Sequence, residues 1–336
     1  MAEREAHRAA FLAAAGWGDA TQAPLAGDAS FRRYVRLTRA GGGAMLMDAP
    51  PPHEDVRPFL AVARLLRGLG LSAPDILAED VGQGFLVLED FGDDTFTRIL
   101  AAGAVEEPLY ALAVDVLVAL HQRFAAASAP PLPPYDEARL LAEAALLIDW
   151  YLPAVTGVPA DPALRQQYVA LWRGLLPLAM DVPQTLVLRD YHVDNLMRLR
   201  GRSGIAACGL LDFQDAVLGP ASYDLVSLLE DARRDVPADL ARAMRARFLA
   251  AFPAIARDAF DRSYAVLGAQ RNCKIVGIFT RLCVRDGKAS YLAHIPRVWR
   301  WIEEDMRHPA LAPLARWLAR HIPLSERRVP PCRPAA

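Results

Sequence analysis

The C-terminal two-thirds of this chain has the period of helices except at one place, and that exception limits what the chain can fold into. Apolar residues recur at helical spacing in segments 105–125, 135–152, 162–179, 222–232, 237–251, 257–285 and 296–305. Segment 185–213 departs from this, because two short apolar runs, TLVL and GLLDF, flank a loop. The first run continues as LVLRDYHVDNLM over 186–197 and turns sharply polar, with Arg189, Asp190, His192, Asp194 and Asn195 crowded together. A buried strand that ends in so many hydrogen-bonding side chains needs something polar to face.

The first ninety residues have a different pattern. FRRYVRL at 31–37 alternates as a strand does, GGG at 41–43 turns the chain, and AMLMDA returns as a second strand that PPP at 50–52 stops. Segment 54–69 then places Phe59, Leu60, Val62, Ala63, Leu65, Leu66 and Leu69 at helical spacing, before two short strands near 75–79 and 84–89. The expected fold class is α+β. Residues 1–90 form a small strand-rich N-lobe with one helix, 91–325 a large helical C-lobe, and 326–336 a flexible tail. A length of 336 residues suits two lobes better than one core. A cleft between lobes is the expected place for a small ligand.

Charge and composition remove other classes. The formal net charge is −1, so neither nucleic acid nor an anionic membrane is an expected partner. The longest apolar stretch, YALAVDVLVALH at 110–121, is broken by Asp115 and too short to span a bilayer. MAEREAHRAAFLAAAGW carries acidic residues and no long apolar core, unlike a secretory signal. Four scattered cysteines include no CxxC pair, so no zinc site is indicated. A cytoplasmic monomer with a small-molecule partner is expected.

The chemistry lies in Asp190, Asn195 and Asp212. Phosphoryl transfer needs a carboxylate to orient the attacking hydroxyl and accept its proton, and oxygen ligands for Mg²⁺ on the nucleotide phosphates. Asp190 suits the first task. Asn195, in the same loop, and Asp212, ending the next apolar run, suit the second. Asp and Asn occur singly in loops because they make turns. The ordered set D-x-x-x-x-N, then an apolar strand ending in Asp, is the kinase arrangement.

On these residues the sequence resembles the aminoglycoside phosphotransferase and choline kinase group, which has a protein-kinase-like bilobal fold. That group's HGD is replaced by Leu188-Arg189-Asp190, its metal motif is LLDFQDA at 210–216, and its P-x-x-Y-D-L is Pro220 to Leu225. The resemblance implies that Asp224 braces the catalytic loop. DASFRRYVRL (28–37), MDAPPP (47–52), LVLEDFGD (86–93), RDYHVDNLM (189–197) and QRNCKIVGIFTRLCVRDGKASYL (270–292) resemble more narrowly the bacterial N-acetylmuramate/N-acetylglucosamine anomeric kinases. The implied activity is ATP- and Mg²⁺-dependent phosphorylation of the 1-hydroxyl of a cell-wall amino sugar. A kinase of another alcohol, such as an aminoglycoside, choline or methylthioribose, and a nucleotide-binding pseudokinase are the alternatives.

The resemblance also implies a nucleotide side. GDASF at 27–31, with Asp28 and Ser30, stands where a hairpin covers the phosphates, and backbone groups near Glu89 and Phe91 stand where the adenine edge is read. The lysine expected on the strand AMLMDAP is missing, and no lysine precedes Lys274. Arg32, Arg33 and Arg36 lie on the adjacent strand, and Arg33 is the first choice as substitute, since Arg can clamp phosphate with two parallel hydrogen bonds. On the acceptor side, His192 and Asp194 either touch sugar hydroxyls or brace the loop. Arg271, Lys274, Arg281 and Arg285, spaced three, seven and four apart, form one stripe on helix 257–285. Either the stripe pairs with acids such as Glu303 or Glu304, or Arg271, Lys274 or Arg281 grips the carboxylate of N-acetylmuramate.

Overall fold

The computed structural model describes residues 2–25 and 31–331. Its elements run α1 (Ala2–Ala14), β1 (Thr21–Pro24), β2 (Arg33–Arg39), β3 (Gly42–Asp48), α2 (Arg57–Gly68), β4 (Ile76–Asp80), β5 (Phe85–Glu89), α3 (Phe96–Ala101) and α4 (Glu106–Arg123). There follow α5 (Glu137–Ala144), α6 (Leu152–Thr156), α7 (Pro162–Ala179), β6 (Gln184–Val187), β7 (Leu196–Arg198), β8 (Cys208–Leu210) and β9 (Val217–Pro220). The chain continues through α8 (Tyr223–Leu229), α9 (Ala238–Ala250), α10 (Arg257–Asp286), α11 (Ile295–Asp305) and α12 (Ala312–His321). The described residues divide into two compact units. One runs to Val116 and includes Ser128–Pro130 and Val193–Ala216; the other holds Leu117–Ala127, Pro131–His192 and the chain from Val217 onward.

The first unit is built on an antiparallel sheet of order β1-β2-β3-β5-β4. Period-2 alternation separates its faces. Val35 and Leu37 of β2, Ala44 and Leu46 of β3, and Phe85 and Val87 of β5 pack with Leu12 of α1 and Trp17 in one buried cluster. Arg36, Met45 and Leu88 are aligned across β2, β3 and β5 on the other face. Helix α1 and strand β1 are additions to the strand-rich N-terminal region expected from the sequence. The Ala-rich α1 contributes few large side chains, so its period is faint beside that of α2. Strands β7 and β8 form a separate two-stranded ladder in this unit, pairing Leu196 with Leu210 and Arg198 with Cys208.

The second unit is mainly helical, with one two-stranded ladder, β6–β9. Helix α10 runs 30 residues and is buried over most of Phe260–Cys283. It ends where the glycine rule places an end, at Gly287 with φ +69°. Between α5 and α6 the chain makes a π-helical turn over Leu147–Tyr151. Gly277 admits the start of this turn against α10, since a Cβ there would fall on the backbone of Leu146. Gly→Ala inside a helix ordinarily stabilises by about 1 kcal/mol. Here the close approach reverses the sign, and Gly277→Ala is expected to cost about 2–3 kcal/mol, as overpacking does. A urea-unfolding midpoint equal to that of the wild type would show that α10 can move aside.

Candidate active site

Within the first unit lies a cleft of about 530 Å³, the size class of small-ligand sites. Met45, Leu88, Pro74, Met197 and Leu211 give it apolar walls, and Arg32, Arg36, Asn195 and Asp212 line it as polar groups. Segment Glu89–Asp93, leaving β5, borders the same space. Here Glu89 donates its N–H to the Asp75 carbonyl at 2.8 Å, while its carboxylate pairs with Arg202 at 2.5 Å. Asp90 caps the N–H of Gly92 at 2.8 Å. The Phe91 ring lies over Gly209, where a Cβ would come within 2.7 Å of it. Glu89 and Phe91 are thus both at the cleft. Asp28 and Ser30 lie outside the described residues.

The polar groups converge on Asp212. The Asn195 amide is 3.5 Å from it, the Arg32 guanidinium 3.6 Å, and Gln214 donates to it at 2.9 Å. Arg32 is held on its other side by Glu54, just before α2, at 3.7 Å. Asp212 has φ +58° and Arg189 φ +70°, the two non-glycine residues with positive φ among those described. An L-residue held there costs about 1–2 kcal/mol, and such positions cluster at functional sites. Phe213 secures the Asp212 turn by stacking on Phe59 of α2, with ring centroids 5.0 Å apart.

Arg33 is not brought to this group. It opens β2 on the face shared by Val35 and Leu37, is solvent-exposed and does not line the cleft, whereas Arg32, Tyr34 and Arg36 do. Strand parity decides this, and it could have been read from the sequence: the two buried β-branched and Leu positions fix which arginines face the other way. Arg36 is engaged by Asp90 at 2.6 Å and Asp93 at 3.1 Å. Arg98, which also lines the cleft, pairs with Asp93 at 3.4 Å, and among the described residues Arg32 is the arginine that reaches Asp212. The parity also shows where a β3 lysine would stand. Met47, paired with Tyr34, follows Met45 on the cleft-facing parity and is buried.

The second unit holds the loop that starts after β6. Asp224 accepts the N–H groups of Leu188 at 2.6 Å and Arg189 at 2.9 Å, fixing the backbone immediately before Asp190. Burial pushes Asp224 up to about 7, and these two donors pull it back. Burial likewise opposes charge on Asp190, but Lys274, then His192, Arg189 and Arg271, outweigh it and hold this carboxyl below its usual range. His192 is buried, which lowers its basicity.

A family model described as the phosphotransferase enzyme family matches residues 21–260, well over half of the chain. The chain belongs to this family. The phosphotransferase is 39% identical over 363 residues to the N-acetylmuramate/N-acetylglucosamine kinase of Caulobacter vibrioides, covering 97% of this chain and 99% of that one. It is 40% identical over 320 residues to the kinase of the same name from Pseudomonas aeruginosa, covering 91% of each. Among solved structures it is similar to a choline kinase from Streptococcus pneumoniae, with a TM-score of 0.60 and 11% identity over 90% of this chain and 100% of that one. An ADP-bound aminoglycoside phosphotransferase gives 0.60 and 14% identity over 90% and 98%. These likenesses show the fold, α+β and protein-kinase-like.

The remaining expected contacts of the phosphotransferase fall in three places. In the first unit, Asp194 accepts a hydrogen bond from Thr97 Oγ1 on α3, whose N–H also reaches the Val193 carbonyl at 3.2 Å, so Asp194 braces its segment. In the second, the α10 stripe is split by depth. Arg271 and Lys274 are buried, Arg281 is half-buried and Arg285 is exposed. Arg271 donates to the Glu230 carbonyl at 3.3 Å, Lys274 pairs with Glu143 at 3.3 Å, and Arg285 with Asp286 at 2.7 Å. Glu303 and Glu304 pair with Arg327 and Arg307 instead of the stripe. Glu143, a hub of this region, was not singled out from the sequence. It lies on α5, 46 residues before its partner Arg189, and no local pattern links the two.

Proposed function

We propose that this phosphotransferase is an ATP-dependent kinase that phosphorylates the anomeric hydroxyl of N-acetylmuramate and N-acetylglucosamine. What carries the phosphoryl-transfer chemistry is the meeting of Arg32, Asn195 and Asp212 in one nucleotide-sized cleft. What favours these sugars is the match, at 37–40% identity over 86–97% of the chain, to kinases of that name.

The residues fit a magnesium ion. Among the described residues no group of three or more His, Cys, Asp or Glu could hold a metal, but Mg²⁺ on a nucleotide takes one or two protein oxygens and completes its shell with phosphate and water. Asn195, by its amide carbonyl, and Asp212 are such a pair. When bound, Mg²⁺ would neutralise charge on the phosphate oxygens.

The chain's own residues do the rest. The apolar walls from Met45, Leu88 and Leu211 take the base, with backbone groups of Glu89–Phe91 along its edge. Arg32 takes the place of the missing lysine on the phosphates, with Glu54 holding it as an acid holds the lysine in other kinases. Asp190 orients the sugar hydroxyl and accepts its proton as oxygen attacks the terminal phosphorus and the bond to the diphosphate breaks. The missing lysine was the main argument for a pseudokinase, and Arg32 answers it. The reading is tested by ADP release with ATP over a panel of N-acetylmuramate, N-acetylglucosamine, kanamycin, choline and methylthioribose. Turnover with the two amino sugars alone is expected. Turnover with another acceptor and neither sugar reassigns the substrate, and none with any acceptor favours the pseudokinase.

A further inference from the structure

The chain has 38 lysines and arginines, and two are lysines. Lys288 is half-buried, and Lys274 is buried at 9% exposure. A chain that uses arginine almost everywhere else has its one buried lysine beside the catalytic loop. The Lys274 ammonium is 3.3 Å from Glu143 Oε1 and 3.5 Å from the Tyr223 hydroxyl. The same Glu143 oxygen takes the Arg189 guanidinium, while Oε2 accepts from Tyr135 at 2.5 Å and from Gln270 at 3.4 Å. Tyr223 adjoins Asp224, which holds the Leu188 and Arg189 N–H groups. Lys274 is therefore bracketed by both devices that fix the residues leading into Asp190. One is the Glu143–Arg189 ion pair, which secures Arg189 at its positive φ; the other is the Asp224 brace.

We propose that Lys274 is a positioning residue: clamped by Glu143, it supplies the fixed positive charge against which Asp190 works as the base. The ammonium sits between two oxygen acceptors, Glu143 and the Tyr223 hydroxyl. The charged and titratable groups around Asp190 are Lys274 and Arg271 on α10, Arg189 and His192 on its own loop, and Asp224 on α8. His192 is buried, which lowers its basicity, and Arg189 and Lys274 share Glu143 Oε1. Lys274 is the largest favourable influence on the Asp190 carboxylate. Without it, burial is opposed mainly by Arg189 and Arg271, and the carboxyl moves toward its protonated form.

The proposal rests on Asp190 being the base, and the experiment separates the two. The measurement is the pH profile of kcat/KM for N-acetylglucosamine, which carries no titrating group, at saturating Mg-ATP. In Lys274→Met and Lys274→Gln the acid limb is expected to move up by at least about one pH unit, and in Lys274→Arg to stay near its wild-type position. A structural role alone would lower the rate at every pH and leave the limb in place. Glu143 keeps Arg189, Tyr135 and Gln270 as donors in these variants, so no buried carboxylate is orphaned and both are expected to fold. An unmoved limb in either neutral variant overturns the proposal, as does failure of both to fold, which would assign Lys274 to the core. Asp190→Asn tests the underlying reading. If its rate survives, the base assignment fails. If its rate is lost while the Lys274 limb stays put, only the Lys274 proposal fails.

Discussion

Asp190→Asn is expected to lower turnover with N-acetylmuramate at least about a hundredfold, the scale of a lost general base. The amide keeps the size of the side chain but cannot accept the hydroxyl proton. The loop should hold its shape, because Asp224 fixes it through the backbone N–H groups of Leu188 and Arg189. Nucleotide affinity should change little, since the residues lining the cleft all belong to the other unit. Calorimetric titration with ATP alongside the turnover assay checks both halves. Near-normal turnover would remove Asp190 from the chemistry. Lost nucleotide binding would show that the substitution acts through the fold.

The second large effect is expected at Arg32. If it replaces the β3 lysine, Arg32→Ala should lower kcat/KM for ATP by about 10- to 100-fold, the equivalent of one or two charge-assisted hydrogen bonds to phosphate. It would also leave Glu54 and Asp212 without the guanidinium between them. Arg33→Ala is the control. Its side chain is exposed on the opposite parity of β2, and ATP kinetics should stay within about twofold, as for surface substitutions generally. Equal losses in the two variants would contradict the parity argument. No loss in either would leave phosphate binding to backbone groups and the metal.

How much of this was legible in the sequence depends on the range of each interaction. The 185–213 segment announced itself because apolar runs stop abruptly at Asp190 and Asp212, and the structure puts β6 and β8 there. Helix α10 was legible because its apolar pattern is long and Gly287 ends it. The helix expected over 135–152 is instead α5, a π turn and α6, a break caused by packing against α10 at Gly277 that local pattern does not record. Arg33, the first choice from composition, faces away from the cleft and Arg32 faces into it, because composition says that arginines are present and only parity says which way they point. Glu143 could not be seen at all. Its role arises from Arg189 and Lys274 meeting on α5 across long sequence separations, and a lone Glu in an amphipathic helix reads as surface.

One product decides whether this chain is an anomeric amino-sugar kinase. Purified protein incubated with Mg-ATP and N-acetylmuramate, or with N-acetylglucosamine, should yield ADP and a sugar phosphate whose phosphorus couples to the anomeric proton in the NMR spectrum, with the reducing end lost in step with ADP release. A phosphate on any other hydroxyl, or ADP-linked product from neither sugar, would contradict the account.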